Sequence, residues 1–142
     1  MIRTIDETIS VAPQLSPEDM TALAAAGFGF VINNRPDGEE SDQPSNAAMR
    51  TAAEAAGLGY LAIPTVMGGM TREQVDAMAV ALASTTKPVL AYCRSGTRSC
   101  NLWALAEASR GGDPEAIVAK AAGAGYDLSG IQPLLEQLSA QA

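Results

Sequence analysis

Four short apolar runs punctuate the chain at wide intervals, at Thr8–Val11, Phe28–Ile32, Tyr60–Ile63 and Pro88–Tyr92. Ala-rich stretches with helix punctuation lie between and after them. Ser16-Pro17-Glu18-Asp19 supplies an N-cap, a proline at the first helical position and early acids, and Gly27 ends that segment. Ala47–Ala56 reads as a second helix closed by Gly57. Thr71-Arg72-Glu73-Gln74 is a capping box that opens a third, to about Ser84. Ser99–Arg110 is a fourth, ended by Gly111-Gly112; Asp113-Pro114 caps a fifth, and Ser129 opens the last. Strands alternating with helices in this way predict one α/β domain over residues 1–142. Its sheet is mainly parallel, of four to five strands, and flanked by helices. At 142 residues and 47% hydrophobic, the chain has the material for such a core. No repeat or linker divides it.

What the chain lacks narrows its chemistry. It has no histidine, which excludes a Ser-His-Asp triad, a Cys-His pair and any His-ligated metal. Two cysteines, Cys93 and Cys100, are too few for a disulfide scaffold or a Cys-only zinc site, so neither metal nor cofactor is expected. A net charge of −7 speaks against nucleic acid or an anionic membrane as partner. No apolar run approaches the roughly 18 residues needed to span a bilayer. The early acids Asp6 and Glu7 do not suit a signal peptide, so the expected location is cytoplasmic, where thiols stay reduced.

One segment breaks with this acidic background. From Ala77 through Ala106 the only charged residues are Lys87, Arg94 and Arg98. Within it, the strand Pro88–Tyr92 runs into Cys93-Arg94-Ser95-Gly96-Thr97-Arg98-Ser99 and then a helix. A loop of this kind is an anion cradle: amides of Ser95, Gly96 and Thr97 converge with the positive end of the helix dipole. Cys93 opens the loop, where that field and two guanidinium groups favour a thiolate nucleophile. Arg98 offers a planar fork of donors to a tetrahedral anion, and Arg94 raises the local potential. Gly96 leaves room for close backbone approach. A cysteine at a strand end is ordinarily a small buried hydrophobe, but the order of strand, Cys, Arg, Gly, Arg, Ser and helix sets this one apart.

Cys93-Arg94-Ser95-Gly96-Thr97-Arg98-Ser99 resembles the active-site loop of rhodanese sulfurtransferases, and also the Cys-x5-Arg-Ser/Thr signature of cysteine phosphatases. With Asn33-Asn34-Arg35-Pro36-Asp37-Gly38-Glu39-Glu40 and Leu102-Trp103-Ala104-Leu105-Ala106, nearly the whole chain resembles the phosphatase-like domain of the β-lactamase hydrolase-like family. That resemblance implies a cysteine-phosphatase-like fold, with Cys93 as nucleophile and Arg98 as anion ligand. It also suggests that Ser99 hydrogen-bonds the thiolate; Ser99 equally suits an N-cap.

Three departures from the phosphatase pattern stand out. Four residues, not five, separate Cys93 from Arg98; Tyr92 occupies the usual histidine position; and Pro64–Met70 has no general-acid aspartate. Asp37 is the leading substitute acid, on the long loop after the second strand, although Pro36-Asp37-Gly38 is also an ordinary turn. Arg35 is a further candidate anion ligand, Cys100 reads as packing and Trp103 as core. The departures favour transfer of sulfane sulfur from thiosulfate or a persulfide to an acceptor thiol, through a Cys93 persulfide. Hydrolysis of a phosphoester through a phosphocysteine is the alternative, and a non-catalytic anion-binding module the third reading.

Overall fold

The computed structural model describes residues 1–142. Five strands form one sheet: β1 (Arg3–Thr4), β2 (Ile9–Ala12), β3 (Phe30–Asn33), β4 (Gly59–Ala62) and β5 (Val89–Tyr92), in the order β1-β2-β5-β3-β4. All neighbours are parallel except β1, which runs antiparallel to β2 at one edge. Six α-helices cover it: α1 (Asp19–Ala25), α2 (Asn46–Ala55), α3 (Arg72–Ala83), α4 (Thr97–Ser109), α5 (Pro114–Gly123) and α6 (Gln132–Ala140). The expected mainly parallel, helix-flanked sheet is the one observed.

Side-chain alternation along the strands builds two cores. Ile9, Val11, Ile32, Val89 and Ala91 face the larger one, shared with Met78, Leu102, Trp103, Ile117 and Leu135 of α3 to α6. Ala12, Val31, Tyr60, Leu90 and Tyr92 face the smaller one, under α1 and α2. Strands with apolar residues on both faces are the mark of a parallel sheet enclosed by helices.

Several details differ from the sequence reading. Ser16 and Pro17 lie before α1, whose N-cap is Glu18 with no side-chain bond, because the Asp19 carboxylate accepts the Ser16 N–H instead. β1 was missed, because two exposed residues carry no period and pair only through the register Arg3↔Val11. The second predicted strand begins at Phe30 rather than Phe28, since Phe28 N–H is still closing α1 onto the Leu23 carbonyl. α4 begins at Thr97, not Ser99, because Gly96 is its N-cap in a left-handed conformation, φ 89°. At the C-terminus a 3₁₀ turn over Ser129–Ile131 precedes α6. The Thr71/Gln74 capping box is present in full.

Trp103, 1% exposed, anchors the larger core. Trp103→Ala should destabilise the fold by about 3–5 kcal/mol, whereas Val80→Ala, on the outer face of α3, should change it by less than about 0.5 kcal/mol. Urea unfolding measures both; equal effects would show that the packing does not center on Trp103.

Candidate active site

The register puts the ends of all four parallel strands in one row. Ala12 pairs with Tyr92, Tyr92 with Asn33, and Asn33 with Ala62. The residues that follow, Pro13, Cys93, Asn34 and Ile63, therefore open their loops at one edge, where ligands of parallel sheets bind. Cys93 follows the central strand. Its Sγ accepts the Gly96 N–H at 3.1 Å, a contact made possible by the turn at Gly96. Ser95 Oγ donates to Thr97 Oγ1 at 3.0 Å, which tightens the loop from within.

Arg98 lies in the first turn of α4. Nη1 donates to Glu39 Oε2 at 2.6 Å and to the Thr65 carbonyl at 2.9 Å, and Nη2 donates to Glu39 Oε1 at 2.8 Å. A guanidinium has five donors. Two remain, Nε–H and the second Nη2–H, which lie parallel along one edge and form a fork for an anion. The Glu39 carboxylate first, and then the Cys93 thiol, strengthen the charge on Arg98 against its partial burial.

Glu39 was not singled out in the sequence, yet it organises the site. Its carboxylate also accepts Arg35 Nε at 2.8 Å. Arg35, almost wholly buried, further donates to Gln14 Oε1 at 2.9 Å and to Glu40, and Glu40 in turn faces Arg94 at 3.5 Å. Burial works against the Arg35 charge, and its two glutamates more than offset it. The result is an alternating chain, Arg98–Glu39–Arg35–Glu40–Arg94, clamping the Cys93 loop to the loop after β3. Arg35 is thus committed to carboxylates rather than open to a substrate, and Arg94 is mostly exposed on the shoulder. A run of Asp37-Gly38-Glu39-Glu40 beside isolated basic residues was the available signal for this pairing.

The other candidates fall as follows. Ser99 is buried and donates to Asn34 Oδ1 at 2.8 Å; it is neither the N-cap of α4 nor bonded to Cys93. It ties the cradle helix to the end of β3. Asp37 Oδ1 accepts the Asn46 N–H at 2.7 Å at the start of α2. With Arg35, Pro36, Asn46, Ala62 and Pro64, Asp37 lines a cavity of about 220 Å³ at the same edge. Tyr92 points into the smaller core, its hydroxyl buried without a hydrogen-bond partner. Burial holds that phenol far above its ordinary range, and its side chain faces the core rather than the Cys93 loop. Cys100 lies in the larger core, and burial pushes its thiol up to about 12. The largest cavity, about 580 Å³, opens at the opposite end of the strands beside Phe28, Gly29 and Lys87. No group of three or more His, Cys, Asp or Glu side chains is arranged to hold a metal ion.

A parallel sheet with a cysteine loop on its central strand, an arginine in the first turn of the next helix, and helices on both faces defines a cysteine-phosphatase-like domain. The chain belongs to the family described as "Beta-lactamase hydrolase-like protein, phosphatase-like domain", whose model matches residues 1–110. It is 39% identical over 103 residues to a β-lactamase hydrolase-like protein of Xylella fastidiosa, covering 72% of this chain and 24% of that protein. A namesake from Agrobacterium fabrum is 40% identical over 107 residues, 75% of this chain and 25% of that protein. The chain thus matches about a quarter of the length of these curated relatives. Among solved structures, a candidate phosphatase of Neisseria meningitidis superposes with a TM-score of 0.82 at 33% identity, covering 96% of this chain and 97% of that one. Pseudomonas aeruginosa TpbA, solved in complex with phosphotyrosine, shares the fold at 16% identity and a TM-score of 0.64, covering 99% of this chain and 91% of that one. No helix is long and apolar enough to cross a membrane.

Arg98 and then Arg35 hold the Glu39 carboxyl down to about 2. Since the folded value lies below the ordinary 4.5, the ionised group's contribution to stability is complete above about pH 4.5 and is lost as pH falls toward 2. Glu39→Gln should flatten the stability profile over that interval, measured by urea unfolding at stepped pH. An unchanged profile would mean that the carboxylate is not paired in solution.

Proposed function

We propose that this domain hydrolyses phosphomonoesters through a phosphocysteine at Cys93. The observation that carries the proposal is the half-used guanidinium: Glu39 and Thr65 fix Arg98 by three donors, and Nε–H and one Nη2–H are left without an oxygen partner. In this reading Cys93 Sγ attacks phosphorus, the P–O bond to the leaving group breaks, and two nonbridging oxygens take the free Arg98 fork. The loop amides of Ser95 and Thr97 meet the remaining charge, aided by the N-terminus of α4, while the Gly96 N–H stays on the sulfur. Water then attacks phosphorus, and Cys93 departs as thiolate with inorganic phosphate as product. Neither metal nor cofactor enters these steps.

Leaving-group protonation falls to Asp37. Glu39 stays ionised at any physiological pH and has no proton to give. Asp37 must release the Asn46 amide and turn toward the leaving oxygen, across the cavity it lines with Pro64 and Ala62. Asp37→Asn should slow alkyl phosphates, which need a proton donor, by about 100-fold, and leave aryl phosphates with acidic leaving groups within about threefold. Equal losses on both substrate types would remove Asp37 from this role.

The phosphatase reading is supported over sulfur transfer, which the short loop favours, by the similarity to a candidate phosphatase, to a fold solved with phosphotyrosine and to β-lactamase hydrolase-like proteins. Rapid quench with an aryl phosphate should add about 80 Da, one phosphoryl group, to the Cys93 peptide. Thiosulfate or glutathione persulfide should leave no stable adduct of about 32 Da. A persulfide without a phosphocysteine would make the domain a sulfurtransferase. Arg98→Lys keeps the charge but not the fork, and should lower turnover by about 100-fold.

A further inference from the structure

Residues 111–142 lie beyond the stretch matched by the family model, yet one of their side chains reaches the Cys93 loop. Tyr126 follows the turn that closes α5, where Gly125 takes φ 93°, and its N–H closes back onto the Ala121 carbonyl at 2.9 Å. Its hydroxyl donates to the Ser95 carbonyl at 3.2 Å. The N–H at the other end of that same peptide unit, from Gly96, points to Cys93 Sγ at 3.1 Å. One peptide plane is thus gripped from both sides, by a phenol and by the reactive sulfur.

This plane needs an external restraint. Gly96 sits at φ 89°, and a glycine lets the preceding peptide rotate with little steric resistance. Rotation by half a turn would remove the N–H from the sulfur and bring the Ser95 carbonyl oxygen toward it, replacing a donor by a negative dipole. A Cβ on Gly96 would overlap the Tyr126 hydroxyl, so the approach of the ring also depends on the glycine. The ring itself is held from the far edge of the sheet. Arg3 of β1 places its guanidinium 5.6 Å from the ring centroid, and Arg3 Nη1 donates to the Ala124 carbonyl at 3.0 Å. The Tyr126 phenol is protonated at neutral pH, and burial raises it further above its ordinary range.

We infer that Tyr126 is a positioning residue: its hydroxyl locks the Ser95–Gly96 peptide so that the Gly96 N–H faces Cys93, where it stabilises the thiolate as nucleophile and again as leaving group. The inference rests on Cys93 being the nucleophile. Tyr126 touches no reacting atom. It acts through the peptide, and carries the influence of β1 and the C-terminal helices into the loop.

Tyr126→Phe keeps the ring and its packing and removes only the oxygen. Two readouts separate positioning from mere support. The first is the pH dependence of Cys93 alkylation by iodoacetamide, followed by peptide mapping, which needs no substrate. The variant's midpoint should move to higher pH by about one unit, a tenfold drop in rate below it. The second is p-nitrophenyl phosphate turnover, where kcat should fall about tenfold with KM within about twofold. The melting temperature should stay within about 3 °C of the parent. Arg3→Gln, which loosens the ring but leaves its hydroxyl, should displace the alkylation midpoint in the same direction by less. An alkylation midpoint unmoved in both variants overturns the inference. If Cys93→Ser retains phosphate turnover, the hydrolytic reading fails instead, and the alkylation midpoint still decides the role of Tyr126.

Discussion

Everything at this site depends on the register of four parallel strands. Because Ala12, Tyr92, Asn33 and Ala62 end in one row, four loops leave the sheet together. Many of their polar groups are satisfied by one another. Asn34 shows the economy of the arrangement: its N–H goes to the Tyr92 carbonyl, its amide nitrogen to the Ile63 carbonyl, and its side-chain oxygen accepts from Ser99. A single buried residue, through its backbone and its side chain, therefore fastens the ends of β3, β4 and β5 to the helix that aims its dipole at the cysteine. A slip of one residue in β5 would turn Cys93 to the other face of the sheet and leave Asn34 without its partners.

On this scaffold the electrostatics run against the composition. The chain carries −7 overall, but three arginines and two glutamates alternate around the Cys93 loop, leaving that set one positive charge in excess. Such pairs would contribute little if fully exposed. Here the Arg35 side chain is only 3% exposed and the Arg98 side chain 11%, so solvent screens them weakly and loss of a partner would strand a charge. The carboxylates also define geometry. Glu39 meets Arg98 on its terminal edge, which leaves the other edge as the one place where a substrate oxygen can find two parallel donors.

The fold was legible because its signals are local and repeated: apolar runs for the inner strands, and a capping box at Thr71 realised atom for atom. Cys93 and Arg98 were legible because strand, small-residue loop and helix are contiguous. What was not legible arises from contacts between residues far apart in sequence. Glu39 is 59 positions from Arg98, and Tyr126 is 31 from Ser95. Nothing near Glu39 marks it apart from Glu40, and nothing near Tyr126 announces a neighbour. Ser99 was misplaced for a related reason. A serine beside a predicted helix start reads as a cap, but the left-handed turn at Gly96 begins the helix two residues earlier and carries Ser99 inward to Asn34.

The four-residue loop acquires a different meaning once its surroundings are included. By sequence alone, fewer residues between Cys93 and Arg98 mean fewer amides, hence a cradle suited to a smaller or softer charge. In the structure the loop does not work alone. Gly96 bends it so that its own N–H meets the sulfur, and Tyr126 fixes the plane of that donor from outside. Glu39 and Thr65 align Arg98 from the adjoining loops. A short loop braced from three directions can hold its donors in place before the substrate arrives, and preorganised donors stabilise developing charge better than a larger number free to reorient. The C-terminal helices pack on α4 through the larger apolar core, which brings Tyr126 to the Ser95 carbonyl.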